Sequence, residues 1–132
     1  MKKNTTLLVL VAVLLIGGCS KIIDVLTVKA IYNASAFTEI SCDNVTGQHS
    51  DNSFDSVNVT FTNNSKRLLH INWIDYNGHE QTWIDLADGN SHDIPTYKTH
   101  VWIIRKTDGA CSTILKIKNG ATTHETVSFG QQ

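Results

Sequence analysis

Val57-Asn58-Val59-Thr60-Phe61-Thr62-Asn63-Asn64-Ser65 is the stretch whose reading decides the fold. Val57, Val59 and Phe61 alternate with Asn58, Thr60 and Thr62, the period-two pattern of a strand with one buried face. Asn63-Asn64-Ser65 then supplies a turn. Downstream the pattern repeats. Leu69, Ile71 and Trp73 share one face of a second strand, and Asn77-Gly78, a pair that tolerates positive φ, closes a hairpin. Further strands are expected at 83–86, 91–96, 100–106, 113–118 and 122–129, with turns at Asp88-Gly89, Asp108-Gly109 and Asn119-Gly120. No segment past Ser35 carries a helical period. About seven short strands at this spacing predict an all-β fold, a small antiparallel β-sandwich.

Upstream the signals differ. Residues 43–56 are rich in Asp, Asn, Ser and Gly and read as a loop. Residues 19–35 read as a tether, in which Ile22, Ile23, Val25, Leu26, Val28 and Ile31 suit either a short helix or an extended arm. The folded domain is expected over 36–132. At the start, Lys2 and Lys3 precede an apolar run at 7–16, too short to span a bilayer as a helix and suited to a signal peptide over 1–18. Ile16-Gly17-Gly18-Cys19 resembles the bacterial lipobox. That resemblance implies a diacylglycerol thioether on Cys19, cleavage before it and acylation of the new amine, for example with palmitate. Several acyl chains give a stable anchor where one alone binds marginally. An ordinary signal peptide with a chance cysteine, or a retained membrane anchor, is the competing reading. Ser20, with no Asp to signal inner-membrane retention, points to the outer membrane of a bacterial cell envelope.

Without residues 1–18 roughly 114 residues remain, enough for one modest core. The formal net charge is −1 and there is no basic run, so nucleic acid is not an expected partner. Cys42 and Cys111 form an even pair, which in an oxidising compartment reads as a disulfide worth roughly 3–4 kcal/mol in the chain-entropy model. Two unrelated thiols are the alternative. No histidine stands at metal-ligand spacing from either, and neither a metal nor a cofactor is expected.

Val59-Thr60-Phe61-Thr62-Asn63, Trp73-Ile74-Asp75-Tyr76-Asn77-Gly78, Thr82-Trp83, Leu86, Gly89, Ile94-Pro95-Thr96-Tyr97 and His100-Val101-Trp102 together resemble the β domain of the von Hippel–Lindau tumour suppressor family. The two patterns run without a gap from Trp73 to Arg105. The resemblance implies a module that binds a 4-hydroxyproline peptide laid alongside a sheet edge. By position, Trp73, Trp83 and Trp102 match the aromatic walls of its proline pocket. Thr96 and His100 match the serine and histidine that hydrogen-bond the ligand hydroxyl, and Tyr97 matches a neighbouring tyrosine. Trp83 replaces a tyrosine and Thr96 a serine; both changes keep a flat ring and a hydroxyl available. No counterpart of the family's helical second domain follows, so ubiquitin-ligase partners are not expected. Cys42 and Cys111 have no counterpart in the human domain.

Core packing is the plain alternative for the three tryptophans, and a structural role the alternative for His100. His49, His70, His79, His92 and His124 are scattered like surface residues. No nucleophile motif such as G-x-S-x-G occurs and no acid/base pair is evident, so an enzyme is not expected. The expected function is an anchored envelope lipoprotein that binds an extended peptide or small ligand. Its competitor is a structural or protein-interaction component of the envelope with no small-ligand pocket.

Overall fold

A computed structural model describes residues 27–132; the expected signal peptide over 1–18, Cys19 and residues 20–26 of the expected tether lie outside the described residues. Within them run β1 (Val28–Tyr32), β2 (Phe37–Ile40), β3 (Ser56–Asn64), β4 (Leu69–Ile74), β5 (Glu80–Leu86), β6 (Ser91–Tyr97), β7 (Val101–Lys106), β8 (Cys111–Ile117) and β9 (His124–Gln131). They form two sheets, ordered β1-β9-β3-β6 and β2-β8-β7-β4-β5. All pairings are antiparallel except β3 with β9, which is parallel.

The alternation in β3 does what it predicts. Val57, Val59 and Phe61 are buried between the sheets with Ile94, Val127 and Phe129, against Leu69, Ile71, Trp102 and Ile104 of the other sheet. Phe61 stacks on Phe129 at 6.1 Å and tilts against Trp102 at 6.0 Å. Between β3 and β4, Asn63 is wholly buried and uses both ends of its amide. It donates to the carbonyls of Arg67 and Leu86 and accepts from the Ser65 amide and hydroxyl.

Strand β7 is buried on both faces. Trp102 and Ile104 face the sandwich interior, whereas Val101 and Ile103 join Ile74 and Ile114 in a second cluster, against which Ile40 and Val45 pack. Residues 41–55 thus act as a strap across the outer face of the second sheet. It starts with a 3-10 turn at Cys42–Asn44, where the Cys42–Cys111 disulfide forms with a Cα–Cα distance of 5.8 Å.

Two strand expectations need correction: among the described residues there are nine strands rather than about seven, and one strand pair is parallel. Part of the stretch read as a tether is also a strand. Val28–Tyr32 pairs with β9, burying Val28 and Ala30 while Lys29 and Ile31 face out. The exposed Ile31 and the apolar run before it hide that alternation. Strand β2 is short and buries one side chain, Phe37, too little to show a period. At Gly78, φ is 82°, as the expected hairpin turn requires. Gly120 serves a different end: a Cβ there would lie 2.7 Å from the Ser35 carbonyl oxygen.

Candidate functional site

Among the described residues, strand β6 is a free edge of the first sheet. The Asn58 amide bonds towards β9, at Thr123, and the Asn63 amide towards β6, at Asn90. Bonds alternate along a strand, so the β6 residues opposite odd-numbered β3 positions, His92, Ile94 and Thr96, spend their backbone groups on β3. The backbone groups of Ser91, Asp93 and Pro95 and the Tyr97 amide therefore face outward, while the Tyr97 carbonyl accepts from the His100 amide at 3.3 Å. Pro95, the only proline of the chain, lies where a missing N–H costs no ladder bond.

Beyond Tyr97 the chain turns sharply into β7. Thr99 takes a φ of 72°, held by its amide on the Ile117 carbonyl and its hydroxyl on the Asp51 carbonyl. That turn delivers His100, only 5% exposed, beneath a ring of aromatic groups. The Thr96 hydroxyl lies 3.1 Å from Nδ1 and the Tyr76 hydroxyl 3.3 Å from Nε2. Trp73 is tilted over the imidazole at 5.3 Å, Tyr97 lies at 5.4 Å, and Tyr76 stands edge-on at 5.7 Å. Tyr76 also meets Trp73 edge-to-face at 5.2 Å. Burial holds the His100 pKa below its ordinary value. The neutral ring has one donor and one acceptor nitrogen, so one flanking hydroxyl gives a proton and the other takes one.

The two remaining tryptophans form a neighbouring pair. Trp102 is 2% exposed and packs in the core, its indole N–H without a partner among the described residues. Trp83 is 48% exposed and meets Trp102 edge-to-face at 5.5 Å. Its position follows from a bulge. Pairing passes from Ile71 with Ile84 to Asn72 with Thr82, which leaves Trp83 as the extra residue. Trp73 and Trp102 lie opposite each other across the β4–β7 ladder, joining the two aromatic groups.

The structure thus gathers Trp73, Thr96, Tyr97 and His100 in one cluster and places Trp83 with Trp102 beside it. Two members escape the sequence. Tyr76 sits in a stretch read as a hairpin turn; an aromatic there, three residues after Trp73, is the available signal. Ser50 lies in a stretch read as a loop, with nothing to single it out. Its hydroxyl accepts from the Trp73 indole N–H at 2.9 Å.

A family model described as the VHL beta domain matches residues 48–119. The match takes in both aromatic groups, the strap from before Ser50, and strands β3 to β8. No curated protein matches the chain. With more than half of its residues covered by that family model, the chain belongs to the VHL beta domain family.

Proposed function

We propose that the domain captures an extended peptide along the free edge of β6, and that the cluster around His100 receives a hydroxylated ring such as 4-hydroxyproline. Family membership supports a binding role. The observation that carries the finer reading is the Tyr76 hydroxyl, seated 3.3 Å from His100 Nε2 on an exposed hairpin turn. A ligand hydroxyl can take that place once the Tyr76 side chain swings aside. Thr96 would then hold the imidazole from Nδ1, while Trp73 and Tyr97 offer flat faces to the ligand ring. The outward groups of Ser91, Asp93, Pro95 and Tyr97 would pair with the ligand backbone.

Calorimetry with otherwise identical hydroxyproline and proline peptides tests this. Tighter binding of the hydroxylated peptide is expected, with the preference narrowed by about tenfold in Thr96→Ala or His100→Ala, the scale of one buried hydrogen bond. Equal binding of both peptides, or none of either, would overturn the hydroxyproline reading.

Cys19 is proposed to carry the lipid that holds the domain at a bacterial envelope, with the outer membrane as its site. The Ile16-Gly17-Gly18-Cys19 string supports this. Cys19→Ala should abolish palmitate incorporation and move the protein from the membrane to the soluble fraction; labelled, membrane-bound Cys19→Ala would end the idea.

A second reading draws on the burial of Trp102, Thr96 and His100. In it the cluster is structural and the β6 edge pairs with another envelope protein. Tyr76→Phe separates the two. Removing a competing hydroxyl should tighten hydroxyproline binding if the cluster is a pocket. A drop in melting temperature with unchanged peptide affinity favours the structural reading.

A further inference from the structure

A serine in an irregular loop ordinarily meets water. Ser50 is 1% exposed, although Asp51, Asn52 and Phe54 beside it in the strap are exposed. A hydroxyl has one proton and two lone pairs, and here all three are used. It donates to the Ile74 carbonyl and accepts from the Trp73 indole and the Val101 amide, each at 2.9 Å. The Ser50 amide adds a bond to the Asp75 carbonyl at 3.1 Å. One residue thereby grips both sides of the imidazole. Trp73, Ile74 and Asp75 lead into the turn that carries Tyr76, and Val101 directly follows His100.

We infer that Ser50 is the positioning residue of the site, fixing the Trp73 indole relative to His100 from the strap rather than from the sheet. The inference rests on the reading that this cluster takes a ligand. The β4–β7 ladder places the Trp73 backbone but leaves its side chain free to rotate about χ1 and χ2. Packing on the core and on Tyr76 confines the ring, and the bond at the indole nitrogen fixes which way its polar edge turns over the imidazole. An alanine at position 50 leaves the indole N–H, the Val101 amide and the Ile74 carbonyl each short of a bond in a space closed to water. Next along the strap, the Asp51 carbonyl accepts from Thr99, so the same segment also braces the turn before His100.

The test uses the protein purified from expressing cells and labelled with nitrogen-15. Its three tryptophans give three indole resonances, and Trp73→Phe identifies the relevant one. In Ser50→Ala this resonance should move, its solvent exchange should quicken by about tenfold, and hydroxyproline-peptide affinity should fall by a similar factor. Ser50→Thr, which keeps the hydroxyl, should retain most of both. Val59→Ala, a core truncation remote from the strap, should lower the melting temperature and leave the Trp73 resonance in place. An unmoved resonance in Ser50→Ala, or an equal movement in Val59→Ala, would overturn the inference. If Ser50→Ala does not fold, exchange in the unaltered protein decides: protection of the Trp73 indole well beyond that of half-exposed Trp83 supports it, and equal exchange ends it. Failure of every peptide to bind would sink the functional reading alone, since the indole measurements need no ligand.

Discussion

Thr99 carries a conformational cost at the turn before His100. A β-branched side chain at a φ of 72° is strained by about 1–3 kcal/mol. Thr99→Gly should relieve that strain. Against it stand the greater freedom of glycine in the unfolded chain, about 0.5–1 kcal/mol, and the lost bond to Asp51. A net gain of up to about 1 kcal/mol is expected, a rise of a few degrees in melting temperature. Thr99→Val keeps the strain, loses the bond and should melt lower; the opposite order in calorimetry would refute this account. His100 sets a pH dependence. Its folded pKa is depressed by burial, so the unfolded chain takes up its proton first as pH falls. Stability from this group is therefore full above the ordinary histidine value of about 6.5 and declines below it, through the lowered folded pKa. Melting curves between pH 7 and pH 5 should show this fall, and His100→Gln should flatten it. Glu80 acts at lower pH: Arg105 and Asn72 stabilise its carboxylate against the cost of burial, so its contribution is lost as pH drops through its depressed pKa.

Among the elements, the strap has the least local structure and the most specific fastening. The disulfide holds it beside the start of β8, and Ser50 holds it at the far ends of β4 and β7. Replacing Cys42 and Cys111 together by alanine should cost roughly 3–4 kcal/mol, read as a lower urea midpoint; an unchanged midpoint would show that the bridge constrains little. Strands β3, β6 and β9 were legible because each buries alternate side chains, the other four as β-rich runs between turn signals, and the hairpin turns because their glycines answer to a backbone need. The first two strands were not, since Ile31 points outward and Phe37 is a single buried residue. At the site, the family resemblance named Trp73, Thr96, Tyr97 and His100. It could not reveal that Trp102 is core, since β7 alternates apolar residues on two buried faces. Ser50 was beyond reach and Tyr76 was signalled only by its aromatic ring, because their roles arise from bonds across 23 and 24 residues, which no local pattern encodes.

Across the whole molecule, the chain enters at one end and the cluster lies at the other. Val28 pairs with Gln131 beside the far end of β3, whereas Tyr76, Tyr97 and His100 gather near its first residues. Strand β3 is nine residues long, so the two ends lie about 30 Å apart at roughly 3.3 Å per residue. A lipid at Cys19 would therefore present the aromatic cluster away from the bilayer. A chain anchored by its opposite end, with the native leader removed and a lipid attached after Gln132, should bind peptide about equally well, because both termini leave from the same end of the sandwich. A large loss of binding in that arrangement would speak against this geometry.

The sheet order β1-β9-β3-β6 has a consequence in time as well as in space. Strand β9 lies between β1 and β3, pairing with both, although it is synthesised roughly 60 residues after β3 is complete. No amount of early synthesis lets the first sheet assemble, because its middle is still missing. The β3–β6 pair and the second sheet can form earlier, but the first sheet cannot close on β1 until β9 emerges. If the chain is exported as proposed, the late central strand would act as a built-in delay, leaving the first sheet incomplete until β9 has been made.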